Sequence, residues 1–376
     1  MKVLTVVGTR PEAIKLAPVI REFATRSEQI ESVLCATAQH REMLDQVLRD
    51  WDIPCAYDLD VMRHDQTLAQ LTARLLERLD PVIVKERPDW VLVQGDTTTV
   101  VAASLAAFYR RVRVAHVEAG LRTWNRLEPF PEEVNRRMVG CVADLHFAPT
   151  EEARRNLLRE GVAPEAVITT GNTVIDALYL TRDRLLRHGA AAKSAGPRRI
   201  LVTVHRRENF GEPLTQICAA IRELSRAVSG IEFVVPVHPN PNVKSVIESH
   251  LGDLPNVQLR EPLPYSALVE TMMGATLVLT DSGGLQEEAP ALQVPVLVLR
   301  DVTERPEGVA AGLVKLVGAD RARIVDTVKH LLSDDAARAA MTSPINPYGD
   351  GKASQRIVHH LIAVTMGAQA NLKVPA

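Results

Sequence analysis

What most restricts the fold of this chain is a repeated alternation. Short apolar runs, each stopped by a small or polar residue and followed by a stretch with helical spacing, recur along its 376 residues. In the first half the strand-like runs are Lys2 to Val7, Ser32 to Thr37, 90–94, 113–117, 144–150 and Val167 to Thr169. Helical stretches lie between them, the longest at 66–84, where Leu68, Leu71, Leu75, Leu76 and Leu79 share a face. In the second half the strand-like runs are 199–204, 232–237, 256–259, 277–280 and 294–299. Runs that are apolar on both faces suit parallel strands covered by helices on either side. The sequence therefore predicts an α/β chain of two doubly wound, Rossmann-like domains facing a central cleft. The small, polar, Pro- and Gly-bearing stretch 188–198 is placed as the linker, with domains at 1–187 and 199–352 and a last segment at 353–376.

Composition removes several classes of function. With 46% hydrophobic and 24% charged residues the chain reads as soluble, and a formal net charge of −2 gives no support to a nucleic-acid or anionic-membrane partner. No apolar stretch approaches membrane-spanning length, and MKVLTVVG is too short for a signal peptide, so a cytoplasmic protein is expected. Cys35, Cys55, Cys141 and Cys218 are far apart, and three lie in apolar runs, which predicts buried free thiols in a reducing compartment.

The chemistry sits where strands end. In LVLTDSGGLQEEAPAL (277–292) a strand, the turn Asp281 to Gly284 and a helix start make an anion site, because the first helical N–H groups lack partners. Glu288, about a turn further in, faces the same ligand and suits a sugar hydroxyl; an ordinary turn with Ser282 as cap is the plainer alternative. GTRPEAIKLAP (8–18) is a second strand-to-helix site, with Pro11 in the first turn and the cations Arg10 and Lys15 around it. Asp96 and Glu118 end two successive strands. Glu132 and Glu133 open a helix after the loop LRTWNRLEPFP, where acids also serve simply to complement the helix dipole. His205 and His238 stand just past strand ends. Arg10, Lys15, His205, Ser282, Gly283, Gly284 and Arg305 together suit a diphosphate, and Asp96, Glu118 and Glu132 suit proton transfer or a developing cation. There is no GxGxxG, no GxxxxGK[ST] and no metal-ligand spacing, so no cofactor and no metal are expected. A sugar nucleotide fits this inventory.

Ten motifs in order carry a family resemblance: GTRPEAIKLAP, TAQHREMLDQ, QGDTTT, HVEAGLRT, PFPEEVNRR, TGNTVIDAL, HRRENFGEP, DSGGLQEEAP, TERPEG and NPYGDG. From the first strand to the last helix the sequence resembles the bacterial non-hydrolysing UDP-N-acetylglucosamine 2-epimerases. The resemblance implies a glycosyltransferase-B-like architecture, a homodimer, and a last helix packed back on the first domain. It implies reversible conversion of UDP-GlcNAc to UDP-ManNAc, for envelope polysaccharide synthesis, by elimination of UDP to 2-acetamidoglucal and re-addition. It matches Asp96, Glu118, Glu132 and His205 to catalytic positions, and Arg10, Lys15, Ser282, Gly283, Gly284, Glu288 and Arg305 to nucleotide-binding ones, Glu288 on ribose. It also implies a second, activating UDP-GlcNAc on Gln39, His40, Arg41 and Glu42, with Glu133, Arg206 and His238 nearby. Near that place Asp65 stands where many members carry arginine, or else it caps the helix that follows. A glycosyltransferase of the same architecture, a hydrolysing epimerase and a silent sugar-nucleotide sensor are the other readings.

Overall fold

The computed structural model describes residues 1–37, 41–63, 65–190 and 196–372, with backbone alone at 41–43 and 368–372. Two compact units are present: Met1–Ala177 with Tyr348–Ala376, and Leu178–Pro347. The first holds seven strands, β1 (Lys2–Val7), β2 (Glu31–Ala36), β3 (Tyr57–Asp58), β4 (Trp90–Gln94), β5 (Arg113–Val117), β6 (Leu145–Ala148) and β7 (Val167–Thr169), ordered β3-β2-β1-β4-β5-β6-β7 and all parallel. Its helices are α1 (Arg10–Ala24), α2 (Arg41–Asp50), α3 (Leu68–Glu86), α4 (Thr98–Tyr109), α5 (Glu132–Gly140), α6 (Glu151–Arg159) and the start of α7 (Thr173–Arg187). The second unit repeats the plan with β8 (Arg198–Thr203), β9 (Ile231–Pro236), β10 (Val257–Arg260), β11 (Ala275–Thr280), β12 (Val296–Val298) and β13 (Val314–Leu316), ordered β10-β9-β8-β11-β12-β13 and again parallel. Its helices are α8 (Glu212–Ala227), α9 (Pro241–Leu251), α10 (Tyr265–Met273), α11 (Gly283–Ala291), α12 (Pro306–Ala310), α13 (Arg321–Ser333) and α14 (Asp335–Ala340); α15 (Ala353–Leu372) returns to the first unit.

The strands are buried because they are apolar on both faces. All five residues of β4 and five of six in β1 are buried, and the core beneath α3 and α4 is built of Leu4, Val6, Leu75, Leu79, Val91, Val93 and Ala103. Covering both faces of a parallel sheet is what makes continuous apolar runs stable in water. The second unit buries its own cluster around Ile200, Val202, Phe233, Leu277, Leu279 and Leu297.

Several boundaries differ from those read off the sequence. The units divide inside α7 and not at 188–198. The start of α7 is tied to the first unit because Asp176 accepts hydrogen bonds from the backbone N–H groups of Ala353 (3.2 Å) and Ser354 (2.7 Å) at the start of α15. Helix α15 runs back along α1, and the buried Trp90 donates its indole N–H to Thr365 at 2.9 Å. Helix α3 begins at Leu68 and is capped by Thr67, whose Oγ1 accepts from Gln70 N while Gln70 Oε1 accepts from Thr67 N. Asp65 is therefore not its cap and sits ahead of it with φ 54°. The short β3, β13 and α12 carry too few residues for periodicity to show them. Cys35 and Cys218 are buried, with their thiols pushed up to about 12 by burial, but Cys55 and Cys141 are exposed; all four are free. No helix among the described residues is long and apolar enough to cross a membrane.

Candidate active site

In the first unit the strand order reverses between β1 and β4, and the loops beyond the C-terminal ends of such strands form a natural ligand site. Gly8 and Thr9 turn the chain from β1 into α1. Glu12, in the first turn of α1, accepts from Gly8 N at 2.5 Å and Thr9 N at 3.1 Å, and its other oxygen accepts from Thr97 Oγ1 at 2.6 Å beyond β4. Burial pushes the Glu12 carboxyl up to about 7, against the hydrogen bonds from Thr97, Gly8 and Thr9. One side chain thus joins the turn that carries Arg10 to the turn that carries Asp96. Gly8 leaves no room for substitution, since a Cβ there would lie 2.4 Å from Thr99 Oγ1.

Glu118 follows β5 with φ 62°, in the left-handed region that costs a non-glycine residue about 1–3 kcal/mol. Its carboxylate is buried and surrounded by donors. Lys15 Nζ lies 2.7 and 2.6 Å from its two oxygens, Asn172 Nδ2 donates at 3.0 Å, and Gln94 donates from the end of β4. The Lys15 ammonium thus bridges both oxygens of this carboxylate. Asp96 is held by Arg136, whose Nε lies 2.9 Å and Nη2 2.7 Å from Oδ2, and Asn135 Nδ2 binds the Asp96 carbonyl at 2.8 Å. Arg136 also donates to Glu133 at 3.1 Å. Glu133 accepts from Thr123 N and Trp124 N at 3.0 and 3.1 Å, so it anchors the loop after Glu118. Glu132, the first residue of α5, is half-buried beside it, and Arg10 is half-buried at the start of α1.

Beneath this edge His116 donates Nε2–H to the Gly95 carbonyl at 2.7 Å, while its Nδ1 has no partner. Burial drives its pKa down to about 3, and that of His146, opposite it on β6, down to about 4. Gly95 takes φ 82°, and a Cβ placed on it would stand 3.8 Å from Glu118 Oε2, which puts the turn that carries Asp96 next to Glu118.

The second unit reverses between β8 and β11. His205 and His238 lie past β8 and β9 with their rings stacked, centroids 6.1 Å apart. Asp281, fully buried after β11, receives His205 Nδ1 at 2.9 Å. Ser282 is the N-cap of α11 by backbone position and makes no capping bond with its side chain. Gly283 lies close against a buried cation of the same unit. A Cβ on it would fall 2.7 Å from Arg305 Nη1, so the buried guanidinium lies against this turn, with Arg305 Nε donating to Glu287 at 2.6 Å. Glu288 is buried and accepts from the Tyr265 hydroxyl at 2.7 Å. Beside them Glu304 is held down to about 2. Burial alone would raise it, and the guanidinium groups of Arg305, Arg300 and Arg206 outweigh that. Gln39 and His40 lie outside the described residues, as do the side chains of Arg41 and Glu42.

The family model for UDP-N-acetylglucosamine 2-epimerase matches residues 22–362. The enzyme of that name from Yersinia pestis is 52% identical over 370 residues, 96% of this chain and 98% of its own, and that from Escherichia coli K12 is 51% identical over 96% and 98%. The chain belongs to the UDP-N-acetylglucosamine 2-epimerase family. The crystal structure of UDP-GlcNAc 2-epimerase from Neisseria meningitidis bound to UDP-GlcNAc superposes with a TM-score of 0.92 at 48% identity, covering 96% of this chain and 100% of that one. Two Rossmann-like domains in one chain place this epimerase in the glycosyltransferase-B-like class.

Sequence reasoning missed the residues that hold the candidate groups in place. Gln94, Asn172 and Arg136 were visible inside recognised motifs, but only tertiary contacts join them to Glu118 and Asp96. Glu12 carries a local signal, since Thr9-x-x-Glu12 is a capping box. Tyr265 carries none, and Asp281, though visible in DSGGLQEEAP, shows nothing there of its tie to His205.

Proposed function

We propose that the chain interconverts UDP-GlcNAc and UDP-ManNAc by eliminating UDP and adding it back, with Asp96, Glu118 and Glu132 as the acid–base groups. The observation that carries this is the setting of Asp96 and Glu118 at one sheet edge, each held in place by cationic or amide donors. The C2–H bond of a closed sugar ring is not acidic, so cleavage of C1–O runs ahead. Its electron pair leaves with UDP, and the oxocarbenium character at C1 acidifies C2–H and is stabilised by the carboxylates. A carboxylate takes the C2 proton, the C2–H electrons form the C1=C2 bond of 2-acetamidoglucal, and the reverse steps deliver a proton to the opposite face. Inversion needs acids on both faces of the ring, which is why one carboxylate does not suffice. Arg10, Lys15, His205, Ser282, Gly283, Gly284 and Arg305 serve the nucleotide, and Glu288 the ribose. In D2O the protein alone is expected to yield UDP-ManNAc carrying deuterium at C2 by proton NMR. Epimer without deuterium overturns the proton-abstraction route; free ManNAc and UDP indicate a hydrolysing epimerase.

We place a second UDP-GlcNAc as activator near His238 and Arg206, which flank His205. The same assay then gives a sigmoidal dependence on UDP-GlcNAc, and a hyperbolic curve removes the activating site. We read the chain as a homodimer because Phe108 and Tyr109 at the end of α4 and Met138 on the adjoining α5 are exposed. Sedimentation as a single 41.3 kDa species at assay concentration removes the dimer. Four unbonded cysteines accord with the cytoplasm as its compartment.

A further inference from the structure

Asp281 is heavily hydrogen-bonded at the second unit's sheet edge. Its Oδ2 accepts from His205 N at 2.9 Å, Arg206 N at 2.8 Å and Asn209 Nδ2 at 3.0 Å. Its Oδ1 faces His205 Nδ1 at 2.9 Å, with His205 N further off at 3.2 Å. Burial acts to raise this carboxyl, and the bonds from His205 and the backbone N–H of Arg206 and His205 hold it below its ordinary value. An ionised carboxylate only accepts hydrogen bonds, so His205 Nδ1 must carry the hydrogen. The other nitrogen, Nε2, is then the atom His205 offers, on a ring whose side chain is 38% exposed.

We propose that Asp281 is the positioning residue for His205: it imposes the Nδ1–H tautomer, fixes the ring, and makes Nε2 the working atom toward the diphosphate. This rests on the reading of His205 as a diphosphate residue. When Nε2 takes a proton, the buried carboxylate behind Nδ1 balances the imidazolium. Nε2–H then donates to the phosphate oxygen that gains charge as C1–O breaks. The division of labour is that of a carboxylate–histidine pair in general, in which the acid sets tautomer and orientation and is not itself protonated.

Asp281→Asn tests this with a specific outcome. Three donors converge on Oδ2, so the amide oxygen of Asn takes that place, and its NH2 faces His205 Nδ1. Donor then meets donor unless the imidazole shifts to the Nε2–H tautomer. In the full-length protein labelled with 15N-histidine, at about pH 9 where imidazole is neutral, long-range 1H–15N spectra report the tautomer. The His205 signals are assigned by their loss in His205→Gln. The wild type is expected to show Nδ1–H and Asp281→Asn to show Nε2–H. Turnover of UDP-GlcNAc should fall about 100- to 10,000-fold in Asp281→Asn, with the Kd for UDP changed less than about threefold, because the imidazolium is lost and not the binding site. An Nε2–H tautomer in the wild type overturns the proposal whether or not the variant folds. A shifted tautomer with turnover retained overturns its role in catalysis. A wild type with the Nδ1–H tautomer and no epimerisation counts against the assigned function, and leaves the action of Asp281 on His205 intact.

Discussion

Glu118→Gln is expected to cut the rate of epimerisation by about two to four orders of magnitude, the range for loss of an acid–base group. Its effect on folding should also be large, for a reason visible in the contacts. Lys15, Gln94 and Asn172 all aim donors at the two oxygens of Glu118. A glutamine offers one oxygen and one NH2, so a donor is left facing a donor, and Lys15 keeps a charge that is only 13% exposed without its counterion. Removing one member of such a buried pair typically costs about 3–5 kcal/mol. Denaturant unfolding should therefore show the loss, and adding Lys15→Met should recover much of it, since the stranded ammonium is gone. Activity should stay low in the double variant. If Lys15→Met/Glu118→Gln turns over near the wild-type rate, Glu118 acts through stability alone and is not an acid–base group.

Acid should weaken the first unit well above the range where ordinary carboxylates titrate. His116 and His146 have folded pKa values of about 3 and about 4, depressed from 6.5 by burial. The unfolded chain therefore binds their protons first, and stability falls as pH drops below 6.5. Each contributes a loss of about 1.4 kcal/mol per pH unit until its folded pKa is reached. Glu12 works in the opposite direction. Its folded pKa of about 7 lies above its ordinary value of 4.5, so the folded state takes up its proton first between these limits and gains stability on acidification. Between pH 6.5 and 4.5 these three groups leave a net loss of roughly one proton's slope, about 1.4 kcal/mol per pH unit. His116→Gln isolates one term, because the Gln amide can still donate to the Gly95 carbonyl that His116 Nε2 holds at 2.7 Å. Its pH slope should be shallower than that of the wild type by about one proton. Equal slopes in the two proteins would mean that His116 is protonated in the folded state.

The two units use their sheet edges in parallel ways. Asp96 follows β4 and Asp281 follows β11, each the strand just across the point where the order reverses. Yet Asp96 keeps a quarter of its side chain exposed and is bound by Arg136, whereas Asp281 is wholly buried under backbone N–H groups and His205. The same topological position thus holds a partly exposed carboxylate in one unit and a wholly buried one in the other.

The class of fold, and the strand-end loops proposed to carry the chemistry, can be read along the chain. Apolar runs such as TVV and WVLVQ can be stable only as covered parallel strands, and residues just past them, Asp96, Glu118, His205 and Ser282, must fall at the C-terminal edge of a sheet. These are local consequences of hydrophobic period and turn chemistry, so they can be read in order along the chain. Tertiary structure decided the rest, because the partners are far apart in sequence. Lys15 meets Glu118, Arg136 meets Asp96, and Asp281 meets His205 only after the strands are ordered. Gly283 shows the same limit. Its place in a helix-start turn was legible, and the guanidinium of Arg305 that lies against it was not. The boundary between units moved from 188–198 into α7 because Asp176 is tied to the start of α15. Hydrophobic period reports which face of an element is covered. It carries no record of which distant donor will satisfy a buried carboxylate.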